Sequence, residues 1–448
     1  MPEQTSITPL FLIVLAALLI SAPVIYLKCS QAIQVLLAMS AKLACSAHHI
    51  CGFSAQRIRK DLGNYSPLFK LVTIHQNENQ TSATLVNLVT VHAQYHPLLG
   101  GSLHSTHKTT LHRSALNGTN MRSRPMNRYS LLPSIQALLL SQIEQDFESG
   151  LDTRALVVLQ GDALLGAVYG EGISERTRLL GWSMSKSLLA MLYGRMETLG
   201  LADSSTCSLF PEWAGDGRSE ITLQNLLQMC DGLKFDETYR PGSDATRMLF
   251  GMLPASRYAL QRSLKQKPGT HFSYSSGSTN LLARWMHEQL GGTEAALNFW
   301  RQEFLQPLGL PEVMMETDGD GVFVGSSYGY ATAIDWARLG ALYLTGSGAS
   351  TGSASAPFLD TAWLARAVRP NNSNNDPRYG YQLWLNYGGE LASPYPALPA
   401  DCFFMLGNRE QKLMVAPSHN AVIVRLGWSS APYPVESRFR EILDRLPR

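Results

Sequence analysis

The sequence predicts an α/β fold in which an antiparallel sheet is flanked by helices and carries a mostly helical inserted subdomain. Two observations set the layers. Strand-like apolar runs rich in β-branched residues occur early and late in the main body, at 154–169 and 379–426, whereas 202–370 follows helical periodicity. Strands drawn from both sides of a helical middle make that middle an insertion and put a cleft at the junction. The third observation is the stretch Gly181-Trp182-Ser183-Met184-Ser185-Lys186-Ser187-Leu188-Leu189-Ala190. A small polar turn there runs straight into Leu188, Leu192, Met196 and Leu199 at helical spacing, with Gly200 as the C-cap, so Ser183 opens a buried helix.

The 448 residues, 45% hydrophobic and 16% charged, suffice for one large core or two modest ones. A formal net charge of +2 gives no reason to expect a nucleic-acid partner. Residues 9–27 carry no charge, and at ~1.5 Å per residue such a run matches a bilayer core. Glu3 is the only charge before it and no basic segment precedes it, so 1–30 reads as an uncleaved membrane anchor rather than a removed signal. Lys28, Lys42, Arg57, Arg59 and Lys60 follow the run, which by the positive-inside rule puts the body in the cytoplasm. The six cysteines (29, 45, 51, 207, 230 and 402) lack metal-site spacing. Cys45 and Cys51 are near enough in sequence to pair, and buried free thiols account for them equally well. Glycosylation-type triplets begin at Asn79, Asn117 and Asn371.

In chain order, 31–100 forms a small N-terminal subdomain: a helix over 31–50, a basic patch at 57–60, and strands over 69–74 and 83–89 around a polar turn. Residues 101–130, rich in Ser, Thr, His, Asn and Arg, make a surface linker whose His104, His107 and His112 are scattered too widely to suggest a metal site. The main body, 131–448, opens with a helix marked by Ile135, Leu139, Ile143 and Phe147 and closed by Gly150. A hairpin over 154–160 and 163–169 turns at Gly161-Asp162. A short helix over 221–232 stops at Asp231-Gly232, and its Cys230, without a base beside it, is core filler. Strands at 379–385, 403–407, 412–416 and 421–426 and a helix over 435–446 end the chain.

Ser183 and Lys186 are three apart and share one face of a first helical turn, so the amine reaches the hydroxyl. The helix N-terminus favours a developing alkoxide, and burial pushes the lysine towards its neutral form. A serine nucleophile with a lysine base needs both. Spacing alone is weak: Ser105-Thr106-His107-Lys108 repeats it in polar sequence, and a capping serine beside a solvated lysine would look the same. Downstream, Pro268-Gly269-Thr270-His271-Phe272-Ser273-Tyr274-Ser275-Ser276-Gly277 is a turn that can aim Tyr274 into the cleft as a proton donor or base, or tuck it into the core.

Together, Trp182 to Ser187, the segment 221–233, and Pro268-Gly269-Thr270 leading into Tyr274-Ser275-Ser276 resemble the serine beta-lactamase-related hydrolases. The resemblance spans 131–427 and leans to the class C-like esterases, amidases and 6-aminohexanoate-dimer hydrolases; Ala41 to Ser46 resembles the start of bacterial membrane-associated members. It implies a beta-lactamase/DD-peptidase-like fold with Ser183 as acylated nucleophile, Lys186 as its activator and Tyr274 as base or acid. Ser276 stands where the family often has asparagine, and an oxyanion hole forms from the amides of Ser183 and Asn408 beside Gly407. It implies no metal or organic cofactor, and an inner-membrane protein with a periplasmic catalytic domain, opposite to the charge rule above. The family's Lys-Thr-Gly strand reads Met405-Leu406-Gly407, which removes the cation for a substrate carboxylate. Glu410 stands where the hydrolase branch has glycine before Gln411, and the bulky charged pair Arg409-Glu410 is expected to narrow the cleft or contact substrate. The expectation is therefore a serine hydrolase that cleaves a small-molecule ester or amide through an acyl-serine. The alternatives are a penicillin-interactive D-alanyl carboxypeptidase or beta-lactamase, and a catalytically silent sensor on the same fold.

Overall fold

The computed structural model describes residues 8–103, 128–251, 253–346 and 357–447, with backbone alone for 8–28 and 128–129. The chain starts with helix α1 (Thr8–His49). The backbone of the expected anchor, 9–27, is the first half of α1, and its side chains fall outside the described residues. Among the described residues no helix is long and apolar enough to cross a membrane. Helix α2 (Ala55–Gly63) is capped by Ser54, whose hydroxyl accepts from the Arg57 amide. Strands β1 (Val72–Gln76), β2 (Gln80–Leu85), β3 (Val89–His96) and β4 (Gly100–Ser102) then form an antiparallel sheet in sequence order. Leu37, Ala41 and Cys45 of α1 pack on it against Val72, Ala83 and Ala93.

The two expected strands at 69–74 and 83–89 are both displaced. Pro67 starts a 3₁₀ turn that runs to Leu71, capped by the Ser66 hydroxyl, and it delays β1. Val86 and Asn87 take positive φ (49° and 56°), so 83–89 holds the end of β2, a reversal over 86–88 and the first residue of β3. Strand β3 had no clear pattern because its residues are partly exposed and polar. Residues 104–127, with the three histidines, Ser105, Lys108 and Asn117, lie outside the described residues.

The body adds β5 (Arg128–Tyr129), α3 (Pro133–Glu148), β6 (Thr153–Gln160), β7 (Ala163–Tyr169), β8 (Leu179–Leu180), α4 (Met184–Thr198) and α5 (Ser276–Leu290). It continues with β9 (Met314–Met315), β10 (Gly329–Ala331), α6 (Ala333–Thr345), β11 (Trp384–Leu385), β12 (Phe403–Gly407), β13 (Gln411–Ala416), β14 (Ala421–Gly427) and α7 (Val435–Leu443). The seven-stranded sheet has the order β11-β12-β13-β14-β6-β7-β5, antiparallel except for β5 beside β7. Strand β6 explains the layering. Leu156 and Val158 face α3 and α7 through Ile135, Leu139 and Phe439, while Val157 and Leu159 face α6 through Trp336 and Leu339. A strand apolar on both faces sits in the middle of a sheet covered twice. The third sheet, β8-β10-β9, leads directly into the turn before α4. Between α4 and α5 the chain forms short helices at Leu223–Leu227, Asp244–Phe250 and Ala255–Leu260. The helix expected over 221–232 shrinks to the first of these because Met229 takes a positive φ of 54°.

Two buried ion pairs dock the N-terminal elements on this body. Arg154, 3% exposed, donates to Asp61 of α2 at 2.6 Å, and the Trp428 indole donates to the Asp61 carbonyl at 2.9 Å. Lys42 of α1 pairs with Glu316, which also accepts from the Ser46 hydroxyl (2.8 Å) and the Gly101 amide (2.6 Å). Gly100 has φ +80°, and a Cβ there would lie 2.3 Å from the Glu316 side chain, so glycine is required twice over. All six cysteines are free thiols, Cys45 and Cys51 included. The Asn371 amide, 3% exposed, is spent on the Asp376 and Tyr379 carbonyls (3.1 Å each), which closes that triplet to a glycan. Lys42→Met leaves Glu316 buried without its cation and is expected to lower stability by about 3–5 kcal/mol in urea unfolding. Lys42→Met combined with Glu316→Leu is expected to recover most of that loss.

Candidate active site

Strand β8 is followed by Gly181, whose amide donates to the Gly329 carbonyl at 2.9 Å, and the next residue, Trp182, takes φ 49°. A bulky residue in the left-handed region is strained, and here the ring is held in place. Trp182 is 1% exposed, with Tyr65, Tyr328 and Trp428 within 6.4 Å between ring centroids. The turn lifts Ser183 to the N-cap of α4. Its hydroxyl caps no backbone amide, which leaves it for chemistry, and it stays partly open to solvent while its neighbours on both sides are buried.

Lys186, one turn on, is 1% exposed. Its Nζ lies 2.9 Å from Ser183 Oγ, 3.0 Å from Ser276 Oγ and 2.9 Å from the Ser326 carbonyl. A neutral amine fits this set: two N–H groups go to Ser276 and Ser326, and the lone pair faces the Ser183 hydroxyl. Burial pushes the lysine down from 10.5 to about 8, with the nearby Glu237 carboxylate opposing it. Both partners are themselves anchored. Ser276 donates its hydroxyl (2.6 Å) and amide (2.7 Å) to Glu237, and Ser326 is clasped by Asn280 through its amide (3.3 Å) and hydroxyl (3.1 Å).

Tyr274 precedes the Ser275 cap of α5 and reaches the Ser183 hydroxyl. Its ring stacks on Trp384 at 5.1 Å and lies 4.9 Å from Lys186 Nζ. Burial, and then Glu237, push the phenol well above its ordinary value, so near neutrality it is a proton donor. Of the two roles expected for this tyrosine, its surroundings favour the acid.

Strand β12 packs against α4 and brings Gly407 so near the turn that a Cβ there would sit 2.2 Å from the Gly181 carbonyl. Asn408 follows, exposed, beside the turn that carries Ser183. Ser183, Lys186, Tyr274, Ser276, Gly407 and Asn408 thus converge from three separate segments. The Arg409-Glu410 pair does not enter the cleft as expected. Both take positive φ (60° and 65°) and turn away. Arg409 lies over the Tyr65 ring at 3.6 Å and donates to Ser430 at 2.7 Å, while Glu410 accepts from the Tyr433 amide (3.0 Å) and pairs with Lys412 (3.1 Å). The buried Arg425 holds the turn from below through the Glu410 carbonyl at 2.9 Å.

Glu237 and the Ser326 carbonyl were not anticipated. Neither belongs to a motif, and a backbone carbonyl leaves no mark in sequence. Cys230 is 2% exposed with its thiol pushed up to about 12 by burial, consistent with filler. Among the described residues no three His, Cys, Asp or Glu side chains cluster as a metal ion would need.

A sequence profile of the beta-lactamase family matches residues 141–444. Solved structures share the fold, with antiparallel strands flanked by helices as expected. A protein from Bacillus anthracis, provisionally assigned as a 6-aminohexanoate-dimer hydrolase, is 20% identical with a TM-score of 0.54 over 68% of this chain and 83% of that one. A penicillin-binding protein homologue from Caulobacter crescentus is 16% identical with a TM-score of 0.55 over 70% and 97%. A family VIII carboxylesterase is 12% identical with a TM-score of 0.53 over 70% and 98%. No curated protein matches the chain in sequence.

Glu237→Gln removes the anion that opposes the burial effect on Lys186. The pH midpoint for labelling Ser183 with a fluorophosphonate is then expected to fall below about 8. A midpoint that stays in place would show that Glu237 does not act on the lysine.

Proposed function

The chain belongs to the beta-lactamase family, and from that premise we propose that it is a serine hydrolase that cleaves a carboxylic ester or amide through an acyl-serine intermediate. The observation that carries this reading is the 2.9 Å contact between Lys186 Nζ and Ser183 Oγ, made by a lysine buried with no carboxylate bonded to it. Ser183 Oγ attacks the carbonyl carbon as its proton passes to the Lys186 amine. The amides of Ser183 and Asn408 hold the oxyanion, at a helix N-terminus that favours it. On collapse, Tyr274 gives its proton to the departing alcohol or amine and regains one from the Lys186 ammonium. Water then attacks the acyl-serine, one proton returns to Ser183 Oγ, and the acid leaves.

The ester or amide reading is preferred to a penicillin or D-alanyl peptide substrate because Met405, where related enzymes place a lysine, is 1% exposed in the core. That strand offers no charge to a substrate carboxylate. The uncharged run 9–27 supports anchoring to the inner membrane; the periplasmic placement of the catalytic body rests on the resemblance to membrane-associated bacterial members alone, since Lys28, Lys42, Arg57, Arg59 and Lys60 favour the cytoplasmic side. Deleting 1–28 is then expected to release active protein from the membrane fraction.

Ser183→Ala is expected to lower hydrolysis of p-nitrophenyl acetate by at least about a thousandfold while circular dichroism stays unchanged. Retained activity would remove Ser183 from the mechanism. Because the lysine titrates at about 8 rather than 10.5, the neutral base accumulates as pH rises, so kcat/KM should climb about tenfold per pH unit below 8 and level off above it. Intact mass of the wild type after brief exposure to a penicillin should show no lasting adduct; an adduct that persists on Ser183 would favour the peptidase or sensor reading.

A further inference from the structure

We propose, resting on the serine hydrolase reading, that the substrate is an ester with an extended aliphatic acyl chain, and that this chain lies in an apolar cleft built by the N-terminal elements against the catalytic body. The cleft has a volume of about 450 Å³, within the range of small-molecule sites. One wall is α1, through Ile33, Leu36 and Met39; a second is the 3₁₀ turn, through Phe69 and Leu71. The body closes it with Phe250 of the helix Asp244–Phe250, which packs on α1. No charged side chain is among its described lining residues.

The cleft reaches residues that adjoin the catalytic groups. Trp182, which directly precedes Ser183, and Asn408, the expected oxyanion donor, both line the cleft. So does Tyr239, whose phenol engages Ser276, the hydroxyl 3.0 Å from Lys186 Nζ. At the other end Leu68 and Leu71 remain 57% and 59% exposed, an apolar mouth with no buried function of its own. An acyl group carried on Ser183 and directed past Trp182 and Asn408 would enter an uncharged cleft between α1 and the turn. The α1 and turn walls lie outside residues 141–444, where the family match falls, so the catalytic machinery and the chain-binding wall come from different parts of the sequence.

The test uses the full chain in a non-ionic detergent below its micelle concentration and p-nitrophenyl acetate, butyrate, hexanoate and octanoate. A fully buried methylene multiplies kcat/KM by roughly fourfold, so acetate to hexanoate should gain at least about tenfold. Ala32→Trp, which places an indole in the cleft, should flatten that series and leave acetate within about twofold, since it touches no catalytic group. Leu71→Asp at the exposed rim, where folding is insensitive, should flatten it as well. A series that is flat in the wild type, or that stays steep in both variants, overturns the acyl cleft while acetate hydrolysis still stands. Loss of acetate hydrolysis in the wild type, with no fluorophosphonate on Ser183, overturns the hydrolase reading itself.

Discussion

The site depends on removing one amine from water. Lys186 is held at the centre of the molecule by groups from α4, the start of α5 and the loop before β10, and each has its own support: Glu237 behind Ser276, Asn280 behind Ser326. A buried ammonium without a bonded anion is costly, and the protein meets that cost by lowering the lysine towards its neutral form. Burial therefore does two things at once. It locks three segments into one geometry, and it turns a residue that would be a cation at the surface into a base.

The same nitrogen explains why the turn before it is strained. For Ser183 to face both Lys186 and Tyr274, the chain must reverse within one residue after β8, and Trp182 adopts a left-handed conformation to do it. The aromatic nest of Tyr65, Tyr328 and Trp428 restrains the ring, so the strain is balanced by packing around it. Tyr65 comes from the N-terminal elements and also lies under Arg409, which ties the nucleophile's turn and the neighbouring strand end to one ring.

Much of this was legible in sequence, for identifiable reasons. Ser183 and Lys186 sit on one helical turn, so spacing alone predicts their contact, and Tyr274 lies in a turn with recognisable neighbours. Strand β6 was legible as one arm of a hairpin that turns at Gly161-Asp162. What failed depended on tertiary context. The direction of Arg409 and Glu410 follows from two successive positive φ angles and from Tyr65, which is distant in sequence. Glu237 is an ordinary acidic residue in a polar loop until Ser276 meets it. The hairpin at 83–89 was misread as one strand because Val86 and Leu88 are apolar yet exposed, at 71% and 85%, which breaks the usual link between apolar pattern and burial.

The ion pair between Lys42 and Glu316 joins residues 274 positions apart. A ribosome working at ~5–20 residues per second needs roughly 15 to 55 s to make the intervening chain. For that interval α1 has neither the carboxylate that will neutralise its lysine nor the body that will cover its apolar face. Until the late residues arrive, α1 stays an unburied segment of the nascent protein, open to chaperones, and it is covered only when they complete the fold.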